Sequence, residues 1–150
     1  MRKIFTIISV LFVMSTTAFA QPQVLCEDFT TYDTSTAAVN YHNWTFTYFS
    51  QFSFYTSAAS TGIAPNSYKF GVDSTSLITP DISGATYFNF WMKGNASSGG
   101  TLANGKFYIY ESTDSVNYTL IDMISPIPPF VEMIKEYPLT AGAVRVKFFY

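Results

Sequence analysis

The sequence predicts an all-β, antiparallel jelly-roll β-sandwich, and three observations predict it. Short segments rich in aromatic and β-branched residues alternate apolar and polar positions along most of the chain. Turn residues punctuate them at intervals of about 8 to 15 residues, a sandwich or barrel spacing. Long helical periodicity is absent. With 15 Phe, 11 Tyr and 2 Trp against only 12% charged residues, the chain is too apolar to be disordered. A single domain over residues 21–150 is expected.

Residues 1–20 read as a secretory signal. Met1-Arg2-Lys3 is a short basic region, Ile4 to Met14 is apolar, and Ala18-Phe19-Ala20 is an A-x-A cleavage site. The apolar run falls short of the roughly 20 residues needed to span a bilayer. Gln21 is therefore the expected mature start, and the protein is expected to be secreted or held at the cell surface, with no membrane span after cleavage. Cys26 does not read as a lipidation site, because Leu25 before it is not small. It is expected to be a buried small hydrophobe on a strand. One Cys excludes an internal disulfide, and one Cys with one His cannot build an ordinary zinc site. Without Arg2 and Lys3, the basic residues Lys69, Lys93, Lys106, Lys135, Arg145 and Lys147 face ten acidic ones, a net charge of −4. They form no basic patch in the sequence, so nucleic acid is not an expected partner.

Val24 to Phe29 reads as the first strand, with Leu25 and Phe29 on one face and Val24, Cys26 and Asp28 on the other. Thr30 to Asn43 is polar and reads as a loop. Trp44 to Phe49 alternates Trp44, Phe46 and Tyr48 against Thr45 and Thr47, which suits a half-buried strand. Phe52 to Thr56 either continues that strand or pairs with it. Ser57 to Pro65 is a loop. Tyr68, Phe70 and Val72 alternate with Lys69 and Gly71. After a turn at Asp73-Ser74-Thr75, Ser76 to Thr79 makes a short strand that Pro80 stops.

Asp81-Ile82-Ser83-Gly84 is a further turn. Beyond it, Thr86, Phe88, Phe90 and Met92 share one face and Tyr87, Asn89, Trp91 and Lys93 the other. Phe88, Phe90 and Met92 are expected to point into the core. Gly94 to Gly105 is a glycine- and serine-rich loop. Lys106 to Ser112 and Tyr118 to Ile124 form a hairpin whose turn at Asp114-Ser115 needs unusual backbone angles. Pro126 to Phe130 interrupts, and Met133 to Leu139 is a weak strand because Pro138 cannot donate to a ladder. Ala143 to Tyr150 closes the chain with Val144, Val146, Phe148 and Tyr150 on one face.

Several of these segments resemble the choice-of-anchor J or cleaved-adhesin jelly-roll modules, which are similar to MAM domains. The resemblance rests on Glu27-Asp28-Phe29, on Leu77-Ile78-Thr79-Pro80 as an L-x-T-P strand end, and on Tyr87 to Gly94 as a core strand. It also rests on Tyr108 to Asp114 with Tyr118-Thr119 as a hairpin, and on Val144 to Tyr150 as a V-R-V-x-F-x-Y strand. It covers roughly residues 24–150 and implies a secreted protein of the Bacteroidetes type. Ser115 stands where the hairpin usually has Gly. The family continues past the equivalent of Tyr150 with a Gly-Asn turn and a strand carrying paired Asp residues. The chain is therefore expected to be a truncated or short variant with its last strand an unpaired edge. In relatives, first-strand acids and the late Asp pair lie near one calcium ion, which makes Glu27 and Asp28 the candidate metal ligands here. Calcium takes six to eight oxygen ligands, more than these two supply. No cofactor is expected.

Catalytic chemistry has little support. His42, the only histidine, would have to serve any Ser-His-Asp or Cys-His arrangement, and it reads as a solvated loop residue. Glu27 or Asp28 with Glu111 or Asp122 offers carboxylate pairs for glycoside cleavage, but nothing in their spacing selects them. Ser97 to Gly105 lacks the lysine of a phosphate cradle. Asn43-Trp44-Thr45, Asn95-Ala96-Ser97 and Asn117-Tyr118-Thr119 match a glycosylation pattern that short sequences meet by chance. Aromatic rings on outward faces are the stronger signal, because sugars stack on flat rings while a few polar groups fix their orientation. Trp44, Tyr48, Trp91, Tyr108 and Tyr110 are the candidate ligand-binding residues. The bland alternative is that such rings pair across strands and only stiffen the surface. The expected function is a non-catalytic, adhesin-like module binding a glycan or a cell-surface protein. A structural spacer or fragment of a larger exported protein is the alternative, and a hydrolase the weaker one.

Overall fold

A computed structural model describes residues 25–27, 29, 40–41, 43–47, 54–57, 66–70, 74–94 and 105–150. The signal segment, Asp28, His42, Tyr48 and most of the loops at Thr30–Asn43, Ser57–Pro65 and Gly94–Gly105 lie outside the described residues. The strands are β1 (Asn40–Tyr41), β2 (Trp44–Phe46), β3 (Phe54–Tyr55), β4 (Ser67–Tyr68), β5 (Ser76–Ile78), β6 (Tyr87–Lys93), β7 (Phe107–Ser112), β8 (Thr119–Ile124), β9 (Glu132–Pro138) and β10 (Arg145–Phe149). No helix occurs among the described residues. The fold is an all-β sandwich in which every pair of named strands runs antiparallel.

One sheet has six strands in the order β1-β2-β5-β10-β7-β8. Two smaller sheets pair β3 with β4 and β6 with β9. After β5 the chain leaves the large sheet for β6, returns for the β7–β8 hairpin, leaves again for β9, and comes back to insert β10 between β5 and β7. Alternation decides what each strand buries. Val146 and Phe148 of β10 and Phe107 and Ile109 of β7 face inward, and Ile109 and Val146 are fully buried at 0% exposure. Phe88 and Phe90 of β6 meet them from the other layer, Phe90 lying 5.0 Å from Phe148 and 6.1 Å from Phe107, ring centre to ring centre. Phe88, Phe90 and Met92 all pack on the core, as the two-sided pattern of their strand predicts. Phe70 bridges to the β3–β4 side, 4.9 Å from Tyr68 and 5.0 Å from Phe107. Each fully buried Phe contributes roughly 1.5–3 kcal/mol, so this aromatic layer can hold the domain without cross-links.

Polar side chains fix the connections. Asp81 accepts from the backbone N–H and the hydroxyl of Ser83, shaping a turn that ends at Gly84 with φ 89°. In the β7–β8 hairpin, Asp114 accepts from the N–H groups of Val116 and Asn117 and from the Asn117 side chain. Those three bonds hold its carboxyl well below the ordinary carboxylate range, the Asn117 N–H acting most strongly. They also stabilise Ser115 in the left-handed region at φ 63°, a conformation that glycine adopts most readily. The Thr79 hydroxyl accepts from the Val146 N–H, and its carbonyl accepts from Arg145 Nη1, fastening the end of β5 to β10.

Five expectations need correction. Leu25–Glu27 and Phe29 are not in a strand: Phe29 adopts φ 54°, which breaks extended backbone, although Leu25 and Phe29 do pack on the core. Cys26 is exposed, not buried. Phe54–Tyr55 pairs with Ser67–Tyr68 rather than with the Trp44 strand, and Asn40–Tyr41 within the expected loop pairs with that strand instead. The last strand is not an edge, because β10 bonds to β5 on one side and β7 on the other.

Candidate functional site

The outward phase of the central strands carries a row of rings. On β10, Arg145, Lys147 and Phe149 point away from the core because Val146 and Phe148 point into it. On β7, Tyr108 and Tyr110 do the same, alternating with the buried Phe107 and Ile109. Register sets Phe149 directly opposite Tyr108 and Lys147 directly opposite Tyr110. The Tyr108 and Tyr110 rings stack at 6.2 Å with 26° between their planes, and Tyr108 lies 6.1 Å from Phe149. Next to them, the pairing of β7 with β8 slips between Ile109 and Tyr110, so that Asp122 faces Ile109 while Leu120 faces Tyr110. The slip leaves Ile121 as an extra residue packed on the core. It therefore turns both Leu120 and Met123 outward beside the rings, where each is exposed.

Lys147 is the centre of this face. Its Nζ lies 5.3 Å from the ring centre of Tyr118, 5.6 Å from Phe149 and 5.9 Å from Tyr110. Rings attract a cation through their negative faces at such distances. The Tyr118 hydroxyl has its pKa raised, first by burial, with Arg145 opposing and Asp114 adding to the rise. Arg145 itself is engaged with the Thr79 carbonyl.

The candidate rings do not form one site. Tyr108 and Tyr110 lie together on the outer face of the six-stranded sheet. Trp91 lies on the outer face of β6–β9, across the sandwich, directly opposite the exposed Ile134 and on the same face as Tyr87. Trp44 is a core residue at 6% exposure, 5.7 Å from Phe29, and so presents no ring to a ligand. Its Nε1 is buried without a hydrogen-bond acceptor among the described residues. Tyr48 lies outside the described residues. Lys147, Phe149 and Tyr118 were not singled out by sequence reasoning. The alternation that buries Val146 and Phe148 carried the signal for the first two, since it forces their neighbours outward.

The carboxylates weighed for catalysis or metal binding are occupied by structural bonds. Glu111 accepts from the Thr140 N–H and hydroxyl, and Asp122 accepts from the Met123 N–H and the Tyr137 hydroxyl. Glu27 Oε1 accepts from the Phe29 N–H at 2.6 Å, and Asp28 lies outside the described residues. No group of three or more His, Cys, Asp or Glu side chains suited to a metal occurs among the described residues. Nor is any helix among them long and apolar enough to cross a membrane.

No protein-family profile matches the chain, and no curated protein matches it. Among solved structures, it is similar to the K2 cleaved adhesin domain of Lys-gingipain, with 17% identity, a TM-score of 0.48, and coverage of 71% of this chain and 72% of that one.

Proposed function

We propose that this chain is an exported, non-catalytic sandwich module that binds carbohydrate at the cell surface through the outer face of its six-stranded sheet. The observation that carries this reading is the stacked pair Tyr108–Tyr110 continued by Phe149 across the strand boundary. Aromatic side chains on the outer face of a sheet offer apolar surface to the C–H face of a sugar. Sheet pairing fixes the rings in place, so binding does not have to order them first. The basic, apolar and A-x-A segments of residues 1–20 support export.

A glycan array probed with the wild-type protein and with the Tyr108→Ala/Tyr110→Ala variant tests the reading. At least a tenfold loss of signal is expected in that variant, while Trp91→Ala retains it. Signal that survives the double substitution removes these rings from the site. An array on which no glycan binds, followed by capture of a purified surface protein that needs the same rings, would replace carbohydrate with a protein partner. Absence of both would favour the spacer alternative.

A further inference from the structure

We infer that the outer face of the six-stranded sheet selects acidic sugars, with Lys147 pairing the carboxylate of a hexuronate residue whose ring lies on Tyr108 and Tyr110. This rests on the carbohydrate reading above and narrows it to a ligand class.

The placement of the charge carries the inference. The chain as a whole is acidic, with ten acidic against eight basic residues, so its overall field repels anions. Yet two of its cations, Arg145 and Lys147, stand two residues apart on the outward phase of β10. Arg145 Nη1 is engaged by the Thr79 carbonyl. Lys147 has no carboxylate partner among the described residues, where the ion pair seen is Lys93 with Glu132 at 3.4 Å. Nearby acids make their hydrogen bonds elsewhere: Asp81 with Ser83 and Asp114 with Val116 and Asn117 in turns, and Glu111 of β7 with Thr140. Lys147 thus makes no ion pair among the described residues, while Tyr110, Tyr118 and Phe149 hold its ammonium at a defined place. A lysine whose position is fixed by rings loses less freedom on pairing with an anion than one free in solvent.

Geometry completes the match. Lys147 is directly opposite Tyr110 in the ladder, and Tyr108 is stacked beside Tyr110. A pyranose lying over the two tyrosines would place a ring substituent at the Lys147 ammonium. A hexuronate carries a carboxylate as such a substituent, where a neutral hexose carries a hydroxymethyl group. Both substituents can accept from the ammonium, but only the carboxylate adds an opposite charge and so forms an ion pair there.

The test compares oligomers of galacturonate, glucuronate and mannuronate with their methyl esters, which keep the sugar and remove the charge. Titration calorimetry on the full chain is expected to show at least one free acid binding tenfold or more tighter than its ester. Lys147→Met should bring acid and ester within about threefold of each other, and Lys147→Arg should keep the preference. In the wild type, the preference should also collapse at 1 M salt, where the screening length is about 3 Å. Acid and ester binding equally well overturns the acidic selectivity and leaves the ring platform standing. A preference that persists in Lys147→Met, or at 1 M salt, overturns the role of Lys147. Failure of every acid, ester and neutral oligomer to bind overturns the carbohydrate reading itself, and the selectivity with it.

Discussion

The Tyr137 hydroxyl donates a 2.7 Å hydrogen bond to Asp122 Oδ2, tying β9 of the small sheet to β8 at the edge of the large one. It is a polar fastening between two layers that also meet through aromatic side chains. Burial, then this bond, then the Asp122 charge push the Tyr137 hydroxyl up to about 12. A raised tyrosine favours its neutral form in the folded state. The stability it contributes is fully present below the ordinary value of 10.0 and is lost as pH rises through about 12. Tyr137→Phe should cost about 1–2 kcal/mol at neutral pH, because it removes a hydrogen bond to a charged group. It should also flatten the fall in stability between pH 10 and 12. Urea unfolding across that pH range checks both outcomes.

Trp44 separates packing from polarity. Trp44→Ala should cost about 3–5 kcal/mol by opening a cavity beneath β2. Trp44→Phe should cost much less, since it also removes an indole N–H buried without an acceptor among the described residues. Neither substitution should alter glycan binding by the folded protein. Chemical denaturation and array binding on the same samples distinguish this core role from a ligand contact.

Asp114 organises the β7–β8 turn through its ionised form. Its lowered pKa means that its contribution is fully present above the ordinary value of 3.8 and is lost as pH falls through the lower folded-state value. Asp114→Ala should lower the melting temperature at pH 7, and the gap from wild type should narrow as pH drops below 3.8. Thermal melts monitored by circular dichroism from pH 7 to pH 2 follow it.

Gly94 accepts the approach of another segment. A Cβ there would lie 2.5 Å from the Pro128 carbonyl oxygen and 2.9 Å from Ile127 Cγ2, and the Gly94 carbonyl accepts from the Phe130 N–H. The nearest obstacle is backbone, so it cannot swing aside. Gly94→Ala should cost about 1–3 kcal/mol through overpacking. Gly84→Ala is strained for a different reason, its φ of 89°, with open space around the site. Comparing the two by denaturation isolates steric crowding from backbone conformation.

Strands with two chemically distinct faces were legible in the sequence. Phe88, Phe90 and Met92 against Tyr87, Asn89 and Trp91 left one inward phase, and the structure follows it. The hairpin around Asp114-Ser115 was legible because its turn residues have their own local chemistry. The Glu27 region was not, since the left-handed Phe29 is an unusual conformation for a bulky residue and no neighbouring glycine announces it. Trp44 shows a second limit. Period two says that Trp44 and Phe46 share a face but not which side of the sheet that face is on. The ring platform was half visible: Tyr108 and Tyr110 follow from alternation, whereas Lys147 and Phe149 join them only through the pairing of residues some forty positions apart. No local pattern encodes which strands become neighbours.

The position of Arg145–Phe149 has a further consequence for how the molecule comes into being. Ser76–Ile78 and Phe107–Ser112 share no border; they are joined only through Arg145–Phe149, which is made after both of them. Until the polypeptide has been produced as far as that segment, the broad layer exists as two separate halves, each offering an unsatisfied backbone flank. Such a chain stays open while it is being synthesised. A product interrupted before Arg145 would carry two sticky flanks and should clump rather than fold.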